Sequence, residues 1–167
     1  FLCSETEELY TWALQAFDAI VKPSIIITNR EQALISAIAN VFPHAKNLLC
    51  VWHVNKNVLV HATKALPSSS LVDEHLADWN KLVYSSTEME FENNLASFKE
   101  KWTPQNPALI QYECDTWICH KTKIIHCWSG LFSHFGTTTT SRGEGNHYVV
   151  KRILGNANYD LLAVFNN

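Results

Sequence analysis

The sequence predicts an α/β fold built on a largely parallel sheet, and three features predict it. Helical spacing and short apolar runs alternate in the order helix, strand, helix, strand, helix. The connections between them are short, as parallel α/β wiring requires. The first strand-like run, Ser24-Ile25-Ile26-Ile27-Thr28, is β-branched without polar alternation, the pattern of a strand covered on both faces.

Ser4-Glu5-Thr6-Glu7 has the S-x-x-E form of a capping box. Leu9, Trp12, Ala13, Ala16, Phe17 and Ile20 follow at helical spacing, so a helix of about four turns is expected, stopped by Pro23. The first strand ends at Asn29. Ala33, Leu34, Ala37, Ile38 and Val41 then mark an amphipathic helix closing at Pro43. Residues 47–52 read as a second buried strand, after which Val54, Val58, Leu59 and Ala62 resume helical spacing. Two strands are too few for a stable sheet of this kind, so the remaining strands are expected before Phe1. The non-methionine start, with Met89 the only methionine, reads as a fragment, a processed product or an incomplete gene model.

From residue 67 to about 134 the pattern is helical and rich in tryptophan. Trp79, Leu82, Phe91, Leu95, Phe98 and Trp102 predict two helices, with Ser85-Ser86-Thr87-Glu88 as the turn and cap between them. Pro104 and Pro107 interrupt the run, and Trp117, Ile118, Ile124, Ile125 and Trp128 form a further apolar segment. After an extended polar stretch at Gly136, Ser141 caps a helix carrying Glu144, His147, Val150, Lys151 and Leu154. A last short helix is expected at 158–165.

The chain has 167 residues, enough for one domain with a core. Its composition, 47% hydrophobic and 17% charged, is that of a globular protein. No apolar run approaches the ~18 residues of a membrane span, and the acidic start is unlike a signal peptide. The net charge of −3 gives no support to nucleic-acid binding. Cys3, Cys50, Cys114, Cys119 and Cys127 are odd in number and scattered, which points to a reducing compartment rather than a disulfide framework.

Three places could carry chemistry. Asn29 stands at the carboxyl end of the first strand, where ligands gather in open α/β sheets. An acid there could share Mg²⁺ for phosphodiester displacement, whereas an Asn also serves as a cap for the next helix. Cys50-x-x-His53 has zinc-ligand spacing, with Cys114, Cys119, His120, His126 and Cys127 as candidate partners. Buried cysteine is equally common as a small apolar residue. Glu144 fits the reciprocal position of a capping box on Ser141, yet Gly143 and Gly145 flank it and suggest close approach to the backbone. Arg142, Lys151 and Arg152 are candidate phosphate contacts.

Four blocks, in order, carry a resemblance. They are Glu5-Thr6-Glu7-Glu8-x-Tyr10-x-Trp12-Ala13-Leu14, Ile25-Ile26-Ile27-Thr28-Asn29-Arg30-Glu31-x-Ala33-Leu34, Phe42-Pro43-x-Ala45-x-x-x-Leu49-Cys50-x-Trp52-His53-x-x-Lys56-Asn57 and His134-Phe135-Gly136-x-Thr138-Thr139-Thr140-Ser141-Arg142-x-Glu144-Gly145-x-His147-x-x-x-Lys151-Arg152-x-Leu154-Gly155. Together they resemble the Mutator-like (MULE) transposase family, in its fungal-type members.

The resemblance implies an RNase H-like core missing its N-terminal strands and interrupted by a largely helical insertion. Residues 1–53 would form the partial core, 54–135 the insertion, and 136–167 the C-terminal helices with the last acid. It also implies DDE chemistry, in which three acids hold two Mg²⁺ ions and cut and join DNA. Glu144 then takes the place of the third acid and Asn29 that of the second. Cys50 and His53 carry over as the C-x-x-H pair, with zinc as a candidate ligand. The first acid belongs before Phe1. The expected partner is DNA, both transposon ends and target, with a homo-oligomer allowed, no membrane, and a nuclear location. With Asn29 in place of an acid, the expected product is catalytically inactive. The alternative is a domesticated DNA-binding or transcription-regulatory protein, resembling the plant far-red-response factors derived from the same family.

Overall fold

Thr6, rather than Ser4, opens the first described helix: its hydroxyl accepts the Leu9 N–H at 3.4 Å, and α1 runs Glu7–Asp18. The computed structural model describes residues 5–132. After α1 come β1 (Ile25–Thr28), α2 (Gln32–Val41), β2 (Lys46–Leu49) and α3 (Val51–Ala65), the predicted order. The two strands pair in parallel, in register from Ile25 opposite Lys46 to Thr28 opposite Leu49. Among the described residues the fold is therefore mixed α/β, mostly helical, with a two-stranded parallel sheet.

Three expectations about these elements are corrected. The apolar stripe of α1 is not covered: the helix packs chiefly on α2, none of its side chains is buried, and Trp12 is 65% exposed. β1 is likewise only half-buried along Ile25, Ile26 and Ile27. The second strand is shorter than residues 47–52. It ends at Leu49, Cys50 is the extended residue that starts the next helix, and Val51 and Trp52 belong to α3. A continuous apolar run fits a buried strand and a buried helix start equally well, which is why spacing placed the boundary too late.

The helical part follows from its caps. Ser68 accepts the Leu71 N–H and starts α4 (Ser69–Val83). Thr87, in the predicted turn, accepts the Glu90 N–H at 3.1 Å and starts α5 (Glu88–Trp102), while the Glu90 carboxylate reaches back to the Ser86 N–H. Asn106 caps α6 (Pro107–Thr116), where Pro107 sits in the first turn and needs no N–H partner. A 3₁₀ turn (Ile118–His120) leads into two single-turn helices, α7 (Lys121–Ile124) and α8 (His126–Ser129).

One apolar cluster joins these elements. It runs from Leu49 at the end of β2 through Val54, Val58 and Ala62 of α3 to Trp79, Phe91, Trp102, Trp117 and Ile125. The side chains predicted to form the two tryptophan-rich helices are its centre: Trp79, Leu82, Phe91 and Trp102 are all essentially inaccessible. No described helix is long and apolar enough to cross a membrane.

Candidate site at the end of the first strand

Thr28 is the last residue of β1 and is buried, so the chain must leave the sheet at Asn29. The Cys50 N–H donates to the Thr28 carbonyl at 2.8 Å, carrying the ladder one residue past β2. The Asn47 carboxamide donates to the Thr28 hydroxyl at 3.0 Å and holds the strand end from the side.

Asn29 itself is exposed. Its Oδ1 accepts the Glu31 N–H at 3.2 Å, a local turn between side chain and backbone two residues on. Glu31, not Asn29, is the residue that caps α2, its carboxylate accepting the Ala33 N–H at 3.4 Å. The capping role considered for Asn29 thus becomes a turn role one step upstream. Arg30 leaves the same turn and lays its guanidinium 5.5 Å from the Trp117 ring centre, tying the strand end to the helical part.

A divalent cation at this strand end calls for carboxylate oxygens directed outward. The described residues offer one neutral carboxamide oxygen already accepting an N–H, and one carboxylate engaged at a helix start. They do not fit a magnesium site. Glu144, Arg142, Lys151 and Arg152 lie outside the described residues.

Cys50 is buried at the start of α3, and His53 follows one turn later, half-buried, with its ring edge-on to Trp52 at 4.8 Å. Of the candidate partners, Cys114 lies in α6, Cys119 and His120 in the 3₁₀ turn, and His126 and Cys127 in α8. Among the described residues no group of three or more His, Cys, Asp or Glu is placed to hold a metal. Burial pushes the Cys114 and Cys127 thiols up, disfavouring the thiolate that zinc binding needs. His120 is pushed down by burial and then by the charges of Arg30 and Lys123.

Spacing also missed a surface. Trp52 was assigned to a buried strand, but it lies on the outside of α3 and is 42% exposed. The signal was in the charges: between Glu31 and Asp73 the chain has no carboxylate, yet it carries Lys46, Lys56 and Lys64.

Residues 1–57 match the model of the MULE transposase domain, about a third of the chain. Among curated proteins, the chain is 29% identical over 121 residues to Protein FAR1-RELATED SEQUENCE 6 of Arabidopsis thaliana, covering 62% of this chain and 17% of that protein. It is 32% identical over 56 residues to Protein FAR1-RELATED SEQUENCE 4 of the same plant, covering 32% of this chain and 8% of that one. A PKS-NRPS hybrid synthetase of Chaetomium globosum is 25% identical over 189 residues, covering 96% of this chain but only 4% of the synthetase. The chain thus spans a small part of each relative's length. The family match spans the first three blocks, and residues 1–57 are similar to the MULE transposase domain.

Proposed function

We propose that this chain is a segment of a Mutator-like transposase catalytic domain that engages DNA, in the nucleus, without cutting or joining it. In this reading β1, β2 and their helices belong to an RNase H-like core, and the helical part is the insertion within it. Asn29 carries the proposal. It stands at the end of β1, where the family places its second acid, and its amide oxygen is held in a turn with Glu31.

The missing charge decides the chemistry. A unit charge ~4 Å from another is worth about 4 kcal/mol at an effective dielectric near 20, and more against a divalent ion. Each ~1.36 kcal/mol lost at the transition state slows the reaction tenfold, so an amide at this position costs orders of magnitude. Within residues 1–167, Glu144 is the one acid that the family pattern places in the set.

The test is metal binding to the purified chain, followed by calorimetry or by Mn²⁺ relaxation. No saturable binding is expected at millimolar metal. Saturable binding that Asn29→Ala removes would overturn the reading. The two Arabidopsis matches favour a second reading within the same lineage, a domesticated DNA-binding or transcription-regulatory protein in which catalysis is dispensable. Salt-dependent affinity for duplex DNA supports it, and no binding at ~50 mM salt counts against it.

A further inference from the structure

Along α3 the exposed side chains form one stripe. Trp52 and Leu59 are each more than two-fifths exposed, and Lys56 stands on the turn between them, its ammonium 4.8 Å from the Trp52 ring centre. Against this stripe α4 sets Leu76 and Asn80. The two helices enclose an open groove of about 420 Å³ lined by Trp52, Asn55, Lys56, Leu59, Leu76 and Asn80.

The floor of the groove is tied together by hydrogen bonds, and its polar groups are specified. Asn55 accepts the indole N–H of buried Trp79 at 3.0 Å and donates to the Asn80 carbonyl oxygen at 3.3 Å. That pattern commits the Asn55 amide and leaves the Asn80 amide N–H groups as donors beside the apolar walls. α3 contains no acidic residue. On α4 the Glu74 and Asp78 carboxylates pair with Lys101 of α5, and Asp73, one turn before Leu76, bounds the surface at that end.

We infer that this groove docks an unpaired nucleic-acid strand, with a base stacking on Trp52, its edge facing the Asn80 amide, and the backbone phosphate meeting Lys56. An aromatic ring supplies a sequence-tolerant stacking surface, a lysine supplies a phosphate contact, and an amide donor suits a base carbonyl. Duplex DNA offers its bases only at their edges, so the exposed ring selects the unpaired strand. An apolar peptide would use the leucines but would gain nothing from the carboxylate-free stretch around Lys56. The inference extends the DNA-handling reading but uses different residues from Asn29, so either can fail alone.

The experiment is fluorescence anisotropy of a labelled oligo-dT strand with the whole chain 1–167 at ~50 mM salt, repeated as salt is raised. The expected result is saturable binding that Trp52→Ala weakens about tenfold, the scale of one lost stacking contact. Lys56→Gln should weaken binding and flatten the log–log salt slope by about 0.7, the share of one phosphate contact on a single strand. Trp12→Ala, which removes an exposed tryptophan on α1, should leave affinity unchanged. Lys56→Gln changes one exposed side chain and serves as the test even if Trp52→Ala misfolds by circular dichroism. Absence of binding, or binding that both groove variants retain at wild-type strength, overturns the assignment. Equal affinity for duplex and single strand without dependence on Trp52 also overturns it, since phosphates alone would then be read. Self-association that depends on Trp52, with no oligonucleotide binding, would give the groove to a second copy and likewise overturn it.

Discussion

The His75 imidazole on α4 and the Glu113 carboxyl on α6 meet at 2.8 Å with both side chains wholly buried. The ring is edge-on to Trp102 at 4.7 Å and tilted against Phe98 at 5.0 Å, so the pair lies in the aromatic centre of the helical core. Burial pushes the Glu113 carboxyl up, and the contact with His75 opposes that push without cancelling it. Glu113→Ala should cost about 3 kcal/mol, because it leaves the His75 Nε2 buried without its hydrogen-bond partner. Urea unfolding measures this, and a loss below about 0.5 kcal/mol would mean the pair contributes little.

The same carboxyl sets a pH trend. Its folded pKa lies above its unfolded value of about 4.3, so across the window between them the native state binds more protons than the unfolded chain. The Glu113 contribution to stability is therefore full below that window and is lost as pH rises through the folded pKa. Glu113→Gln should flatten this part of the stability–pH curve. An unchanged curve would show that another group controls it.

Asp78 behaves in the opposite sense. Burial alone would raise its pKa, but hydrogen bonds from Lys101, Lys81 and the Trp102 indole, with the Lys101 charge, lower it to about 2. This contribution is present above the unfolded value of about 3.9 and disappears as pH falls towards 2. The lysines are partly exposed, so screening holds the effect to about 1 kcal/mol. Asp78→Asn should show that loss at pH 7 and only a small part of it at pH 2, checked by thermal unfolding at both.

Asn29 can be separated into its structural and chemical parts. Asn29→Asp keeps an oxygen for the Glu31 N–H and should change stability by less than about 0.5 kcal/mol. Asn29→Ala removes the turn contact and should cost about 0.5–1 kcal/mol. If the Asp variant instead loses more than about 2 kcal/mol, the amide is required by the fold, and its presence says nothing about lost chemistry.

Trp79→Phe tests the junction under the α3–α4 groove. It keeps most of the buried ring but removes the N–H that binds Asn55, so a cost of about 1–2 kcal/mol is expected from denaturant unfolding. A neutral result would mean Asn55 is satisfied in another way.

Much of the architecture was legible where periodicity and caps agree. The β-branched run at Ile25 and the Thr87 cap between two tryptophan-bearing helices stand where spacing put them, and the break read at Pro104 falls between α5 and α6. The failures have physical causes. Cys50, Val51 and Trp52 continue an apolar run, and only the backbone turn at Cys50 separates strand from helix. Trp12 and Phe17 have core-facing spacing, but what covers a stripe is a tertiary matter that one helix's spacing does not contain. At the site, the position of Asn29 was legible from strand-end logic. Its partner was not, since a two-residue turn and a helix cap share the same residue preferences. The buried His75–Glu113 pair was invisible to spacing because 38 residues separate its members.

The most direct test of the central claim is nicking of supercoiled plasmid by purified chain 1–167 with Mg²⁺. No conversion above the buffer control is expected, because Asn29 puts a neutral amide where the family pattern places an acid. Mg²⁺-dependent nicking by the natural chain that Glu144→Ala abolishes would contradict the claim, and would mean that an amide at the end of β1 suffices for the chemistry.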